Sequence, residues 1–506
     1  MKLSMAHPAS RPNILWICTD SQRWDTLGCY GNPQVHSPNI DRLAREGMLF
    51  EHCYVQNPLC QPSRGAFLTG RYPVTNRLRQ NGQCIPEEER LVTRILADHG
   101  YLCGLSGKLH LSACNRRFTL GERWWEHGAE AQLVQGCERR IDDGYLHTEF
   151  HWDHAPSPAY RSSAYNQWVQ AQGHQINAAE RSDAADVKNG MPPQLHQTFW
   201  CAEKAMEFIR RYETSEQPWL FSVNIFDPHF ACDPPEDYLA PYLDQLEQIP
   251  LPNYVPGELD DKPEWQRRRH EASGKGKSGM GGYGTSDEGD PHEHRMLRAG
   301  YWAMCDFIDV QVGRLIQCLE STGQRENTLI IFTSDHGEML GDHGVYIKGP
   351  FLYDPAVRVP LIISQPGVIP ENSRRSTMVE LSDLAPTLLE ASSIPVPASM
   401  QAQSLWPVLK GDRTEHREDV YCEYYNSNPD GGRGIYLTML RNHRYKIVVA
   451  HGGHGGELYD LERDSNETHN YWADPDYREV KMNLLIRLTD RMAHTADPLP
   501  ERVGIF

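Results

Sequence analysis

Four short runs of aliphatic and β-branched residues, Asn13 to Thr19, Leu220 to Phe226, Thr328 to Thr333 and Val359 to Ser364, constrain the fold of this chain more than anything else in it. Each is strand-length and far too short to span a bilayer. Each is also apolar at successive rather than alternate positions, the pattern of a strand covered on both faces. Helix-length segments lie between them, the clearest carrying Leu297, Tyr301, Met304, Ile308, Val312, Leu315 and Leu319 at spacings of three and four, a single apolar stripe. The alternation predicts an α/β fold, a large mostly parallel sheet sandwiched by helices, with all four runs as parallel strands.

The pattern changes from about Pro407. Val420 to Tyr425, Ile435 to Leu440, Arg444 to Ala450 and Glu457 to Leu461 are strands at hairpin spacing, followed by a helix near Val480 to Ala493. With 506 residues the chain exceeds what one small core supports. The expected division is a main domain over 1–406 and a small C-terminal antiparallel α+β subdomain over 407–506. Within the main domain, about 122–200 is rich in His, Trp, Tyr and Pro and reads as an insertion over the strand ends, and 273–290 as a Gly/Ser-rich flexible stretch. The GKGKS inside the latter is not a phosphate loop, because Glu271 stands where the first glycine is required.

Composition narrows the partners. A net charge of -18 repels nucleic-acid backbones and anionic membrane surfaces, so neither is expected as a general partner, although a local basic pocket can still hold one anion. The 13 cysteines, an odd number without a C-x-x-C pair, suit a reducing compartment better than a disulfide framework. Met1 to Arg11 has no apolar stretch of the secretory type, so the chain as written reads as cytoplasmic, or as periplasmic or secreted if a leader was removed. Nothing in the sequence speaks to oligomeric state.

The polar residues that follow the strand runs carry the chemistry. Asp20 follows the first, His229 the second after a short turn, Asp335 and His336 the third, and Lys108 follows a further run, Tyr101 to Ser106. Ligands of open α/β sheets bind outside the carboxyl ends of strands, so one edge would gather all of them. Singly, each has an ordinary reading: Asp20 capping a helix, Asp335 and His336 in a turn, Lys108 and Lys348 as solvated lysines, His110 and His229 as structural histidines. Jointly, a calcium-type site needs oxygen ligands from more than one strand, and the lysines are the cations an oxyanion requires. Cys60 precedes Pro62, which suits a first helical turn, placing the thiol at a helix N-terminus that favours anions; the alternative is a buried cysteine before an ordinary helix.

The segment Cys60-Gln61-Pro62-Ser63-Arg64 followed by Leu68-Thr69-Gly70-Arg71 resembles the signature of the type I, formylglycine-dependent sulfatases of the alkaline-phosphatase-like superfamily. The rest of that pattern follows in order: Arg11-Pro12-Asn13-Ile14-Leu15 into Asp20, Ser37 to Ala44, Gly107-Lys108-Leu109-His110, Asp227-Pro228-His229, Thr333 to Glu338, Lys348, Val379 to Glu390, and Glu457 to Leu461. The resemblance implies that Cys60 is oxidised to formylglycine by a formylglycine-generating or sulfatase-maturing enzyme. Its hydrate would attack a sulfate monoester to form a covalent sulfate intermediate, which the second hydroxyl expels. It also implies catalytic roles for Cys60, Arg64, Lys108, His110, His229 and Lys348, and a divalent metal held by Asp20, Asp335, His336 and Cys60.

One departure stands out. Many sulfatases have two adjacent Asp at the first strand and Asp-Asn at the second, whereas here Asp20 precedes Ser21 and Asp335 precedes His336. That variant resembles the choline-sulfatase and phosphonate-monoester-hydrolase branch. Calcium is the first choice of metal, and the imidazole ligand brings in manganese, with magnesium also compatible. Substrate contacts are expected from Asn81 and from His147, His151, Trp152, His154 and Trp168 in the insertion, side chains that suit sugar rings, which points to a sulfated carbohydrate. Two other functions remain: a phosphonate or phosphate mono- or diester hydrolase on the same scaffold, and a sulfated-glycan binding protein in which Cys60 stays a thiol.

Overall fold

The computed structural model describes residues 11–112, 143–151, 163–174, 187, 190–267, 290–426 and 434–500. Its centre is an eight-stranded sheet of β1 (Asn13–Thr19), β2 (Met48–Tyr54), β3 (Leu102–Gly107), β4 (His147–Phe150), β5 (Trp219–Asn224), β6 (Thr328–Ser334), β7 (Arg358–Ser364) and β8 (Ser373–Glu380). The order is β4-β3-β5-β1-β6-β7-β2-β8. Side chains of β1 alternate between two cores: Ile14, Trp16 and Cys18 on one face, Leu15 and Ile17 on the other. Full burial of such a side chain contributes about 1.5–3 kcal/mol, which is why the central strands are apolar on both sides.

The helices Gln197–Arg211 and Pro291–Ser321 cover one face. All seven stripe residues of the latter, Leu297 to Leu319, are buried, and Asp290 caps it by accepting the His292 N–H. Cys60–Thr69, Val92–Asp98 and Leu384–Ala391 cover the other face.

Seven strands share one direction. The exception is β7, antiparallel to both β6 and β2, which corrects the expectation that Val359 to Ser364 is a parallel strand. Burial on both faces imposes the same apolar run whichever way a strand points, so the pattern carries no direction. Direction comes from the connection. A parallel return needs a crossover, usually a helix of some length. The link 335–357 has only the short helices Asp342–Gly344 and Asp354–Val357, so it stays at the carboxyl edge and enters β7 there.

Within the stretch read as an insertion, His147–Phe150 extends the main sheet as β4, parallel to β3, and Ala164–Ala171 is a helix packed on the core. The stretch 273–290 lies outside the described residues except for Asp290. The C-terminal part forms an antiparallel sheet, β12-β11-β10-β9, from β9 (Asp419–Asn426), β10 (Ile435–Asn442), β11 (Tyr445–Ala450) and β12 (Gly456–Asp460). One face, with Val420, Cys422, Leu437, Met439 and Val448, joins the core of the large sheet. The other, with Tyr421, Leu440, Ile447 and Leu458, packs on Leu484 and Leu488 of the helix Arg478–His494. Among the described residues all cysteines are free, and no helix is long and apolar enough to cross a membrane.

Candidate active site

Five strands deliver side chains to the carboxyl edge. β1 is followed directly by Asp20, β3 by Lys108 and β6 by Asp335 and His336; β5 runs through a turn to His229, and β2 leads into the helix that Cys60 begins. Three features mark the first turn of that helix. Leu59 provides no side-chain cap, Pro62 removes an N–H the first turn does not use, and Asn81 Oδ1 accepts the Gln61 N–H at 3.1 Å.

Asp20, Cys60, Asp335 and His336 each offer one donor atom, all within 4.8 Å of one another, and all four are buried. His336 Nδ1 lies 2.7 Å from the Gly337 carbonyl, to which it donates. The lone pair is therefore left on Nε2, 3.1 Å from Cys60 Sγ and 3.7 Å from both Asp20 Oδ1 and Asp335 Oδ1. A backbone partner fixing the tautomer of a ligating imidazole is a common supporting contact in metal sites. Burial pushes His336 down, but Asp335 and Cys60 outweigh it and raise its pKa to about 9. The point where the four donors converge thus favours a positive charge, whether a proton or a cation. Two carboxylate oxygens, an imidazole nitrogen and a group at residue 60 fit a divalent metal of the calcium, manganese or magnesium kind.

The outer oxygens of the carboxylates are held by cations. Lys108 Nζ lies 2.5 Å from Asp20 Oδ2, Arg64 Nε 2.8 Å from Asp335 Oδ2, and a terminal nitrogen of Arg64 3.4 Å from Asp20 Oδ2. Arg64 also donates to the Lys108 carbonyl at 2.8 Å, which ties the end of β3 to the Cys60 helix. Burial opposes ionisation of Asp20, yet Lys108, His229 and Lys348 hold its pKa well below the usual carboxylate range. Burial and Asp20 push the Cys60 thiol up, Lys108, Lys348 and His336 pull it down, and the net shift is downward.

On the open side stand Lys348, His229 and His110. Lys348 donates to His229 Nε2 and lies 3.4 Å from Ser21 Oγ. His229 Nδ1 donates to the Phe230 carbonyl at 2.6 Å, so its Nε2 is an acceptor. Burial and the neighbouring Lys348 ammonium hold its pKa well below the ordinary imidazole value. His110 adopts a left-handed backbone, φ 59°. Its Nδ1 is buried without a hydrogen-bond partner among the described residues. Burial, Lys108 and Arg64 hold its pKa well below the ordinary imidazole value, so the ring is neutral.

The structure thus gathers Cys60, Arg64, Lys108, His110, His229, Lys348, Asp20, Asp335 and His336 at one edge. Of the residues expected to contact substrate, it places Asn81 beside the first turn of the Cys60 helix and holds His147, His151 and Trp168 in other contacts. Asn81 is exposed and its Oδ1 serves the helix N-terminus. His147 sits at the start of β4, paired with Gly104 well short of the strand end, and bonds Tyr212. His151 is buried, with Nδ1 on Ser163 Oγ, and Trp168 stacks on Tyr165. All three side chains are engaged by packing, a use their residue types suit equally well. Trp152 and His154 lie outside the described residues.

Two site residues carry no assignment in the sequence reading. Ser21 takes a left-handed backbone, φ 66°, donates its N–H to Asp335 Oδ1 at 3.2 Å and its hydroxyl to Asp20 Oδ1 at 3.0 Å. Buried Glu338 accepts the Leu340 and Ile347 N–H groups, tying down the loop that carries Lys348. A serine beside an aspartate gives no sequence signal, and neither does a glutamate among the polar residues that follow Asp335.

A model of the sulfatase family matches residues 12–394, and one described as N-sulphoglucosamine sulphohydrolase, C-terminal, matches residues 341–494. The chain is 29% identical over 496 residues to an uncharacterized sulfatase, YidJ, of Escherichia coli, covering 96% of this chain and 88% of that protein. It is 25% identical to the N-acetylglucosamine-6-O-sulfatase of Bacteroides thetaiotaomicron, over 98% of this chain and 89% of that protein. The phosphonate monoester hydrolase of Agrobacterium radiobacter has a similar structure, with a TM-score of 0.81, 25% identity and 97% of each chain covered.

Proposed function

Since this chain belongs to the sulfatase family, we propose that it hydrolyses sulfate monoesters of a sulfated carbohydrate through a formylglycine made from Cys60. The observation that carries the reading is the convergence of the Cys60 helix N-terminus with Asp20, Asp335 and His336 on one side and Lys108, His110, His229 and Lys348 on the other. A bound divalent metal, held by Asp20, Asp335, His336 and residue 60, would supply Lewis acidity at the sulfate and at the attacking hydroxyl. Formylglycine supplies, as its hydrate, two hydroxyls on one carbon: one to attack sulfur, the other to expel the resulting sulfate.

The remaining work falls to this chain's own side chains. Arg64 holds Asp335 and the Lys108 carbonyl, fixing the helix against the strand ends. Lys108 and Lys348 face the sulfate oxygens as positive charge, Lys108 buried and Lys348 half-buried, where such charge acts more strongly than in bulk water. Lys348 delivers a proton to the leaving alcohol oxygen. His229, whose Nε2 accepts from Lys348, orients that ammonium. His110, neutral and with a free ring nitrogen, takes the proton of the second hydroxyl as sulfate leaves. A relative named N-acetylglucosamine-6-O-sulfatase supports a sulfated sugar as the substrate class.

Intact mass tests the nucleophile. Conversion of Cys60 lowers the mass by about 18 Da, and Cys60→Ala and Cys60→Ser are expected to fold but to turn over no aryl sulfate. A mass that stays at the thiol value in protein co-produced with a maturing enzyme, or a serine variant with most of the wild-type rate, would overturn this reading. The first outcome would favour a sulfated-glycan binding protein. A second reading, phosphonate or phosphate mono- or diester hydrolysis, is favoured by the likeness to the Agrobacterium radiobacter enzyme.

A further inference from the structure

Ser21 stands where many sulfatases have a second aspartate, and its surroundings are unusually determined. It is buried, and its φ of 66° costs a non-glycine residue on the order of 1 kcal/mol. Four contacts hold it there. Its N–H reaches Asp335 Oδ1 at 3.2 Å, its carbonyl accepts the Tyr301 hydroxyl at 2.5 Å, its own hydroxyl donates to Asp20 Oδ1 at 3.0 Å, and Lys348 Nζ lies 3.4 Å from that hydroxyl oxygen. A hydroxyl has one proton to give, and here it goes to the carboxylate, so toward Lys348 the oxygen can only accept.

We propose that Ser21 is a positioning residue that holds the Lys348 ammonium at the leaving-group side of the site, apart from the Asp20 carboxylate. The inference rests on the proposed role of Lys348 as proton donor. Asp20 Oδ1, on which the Ser21 hydroxyl rests, is the oxygen that faces Cys60 and His336, and Lys348 is only half-buried. His229 Nε2 also accepts from Lys348, so without the hydroxyl the ammonium keeps that contact and swings about it toward a direct ion pair with Asp20, away from the ester. Glu338 acts in the same direction from the backbone, fixing Ile347 beside the lysine.

The test compares Ser21→Gly and Ser21→Ala with wild type and Lys348→Ala, on para-nitrophenyl sulfate and on a simple alkyl sulfate, per converted enzyme. The nitrophenolate leaves without a proton and the alkoxide does not. Both Ser21 variants are expected to lose about tenfold in kcat/KM on the alkyl sulfate and less than about threefold on the nitrophenyl ester, with the loss in kcat rather than KM. Calcium affinity, measured by competition with a fluorescent chelator, should stay within about threefold of wild type, because Lys108 and Arg64 still hold Asp20. Equal losses on both esters, or a fall in calcium affinity large enough to account for them, would overturn the inference. If Lys348→Ala discriminates between the esters and the Ser21 variants do not, the inference alone fails. If Lys348→Ala does not discriminate, the assignment of Lys348 as the acid fails and the role of Ser21 with it.

Discussion

Asp20 receives Lys108 and Arg64 on one oxygen and the Ser21 hydroxyl on the other, so a single carboxylate couples the cationic wall of the site to its metal donors. Its removal has two separable costs. Asp20→Ala strips Lys108 of its partner and leaves a buried cation uncompensated, which costs about 3–5 kcal/mol whether or not metal is present. It also removes a donor from the set Asp20, Cys60, Asp335 and His336. Thermal unfolding with and without calcium separates the effects. Wild type should gain about 2.7 kcal/mol at a calcium concentration a hundred times its Kd, while Asp20→Ala and Asp335→Ala should gain little, start lower in chelator and lose turnover. An unchanged melting temperature in wild type on adding calcium, manganese or magnesium after chelation would contradict the metal assignment. These residues are legible in the sequence because each closes a strand and offers a donor. Ser21 and Glu338 are not, because their roles come from where the chain turns rather than from residue type.

The elements position the site through two junctions. β3 ends at Gly107 with φ 90°, where an added Cβ would stand 1.9 Å from the Asn224 carbonyl oxygen of β5. Gly107→Ala must therefore push apart the strands that carry Lys108 and His229. A loss of at least about 2 kcal/mol in urea unfolding is expected, together with most of the activity; full retention of both would mean that the strand ends are not fixed this closely. The second junction ties the start of the helix Leu384–Ala391 to the segment entering β9. Asp383 accepts from Arg417 at 2.9 Å and lies 2.9 Å from His416 Nε2. Burial raises its pKa, but Arg417 and His416 outweigh burial and hold it well below the usual carboxylate value. A depressed folded-state pKa gives stability that is present above the unfolded value of about 3.9 and is lost as pH falls toward the folded one. Asp383→Asn should thus cost about 3 kcal/mol near neutrality, and the gap from wild type should narrow as the pH is lowered below about 4. A gap that is constant or widens in acid would contradict the pairing. In the large sheet β1, β3, β5, β6 and β7 were readable from runs of apolar residues and the four C-terminal strands from hairpin spacing, whereas β2, β4 and β8 were not. Nor was the reversed direction of β7, since a strand buried on both faces looks alike from either end.

At the scale of the whole molecule, the large sheet brings residues from Asp20 to Lys348 onto one edge, and the C-terminal sheet shares its core. The order of motifs along the chain pointed to the sulfatase family, and the donors that this resemblance implied, Asp20, Cys60, Asp335 and His336, do converge within 4.8 Å of one another. Substrate contacts were not legible: His147, His151 and Trp168 have residue types that suit sugars and packing alike, and packing uses them here. A similar scaffold serves the phosphonate monoester hydrolase of Agrobacterium radiobacter, so the fold alone does not choose the reaction. Lys108 and His110 make the difference in this account, the first as fixed charge beside a sulfate, the second as the base that lets the second hydroxyl expel it. The decisive measurement is kcat/KM for an aryl sulfate against the matching phenyl phosphonate monoester, at one pH, on wild type and Lys108→Ala. Wild type is predicted to favour the sulfate by at least about tenfold, equivalent to ~1.4 kcal/mol of differential transition-state binding, and Lys108→Ala to lose more on the sulfate than on the phosphonate. A wild-type preference for the phosphonate would contradict the account and assign the protein to phosphonate ester hydrolysis instead.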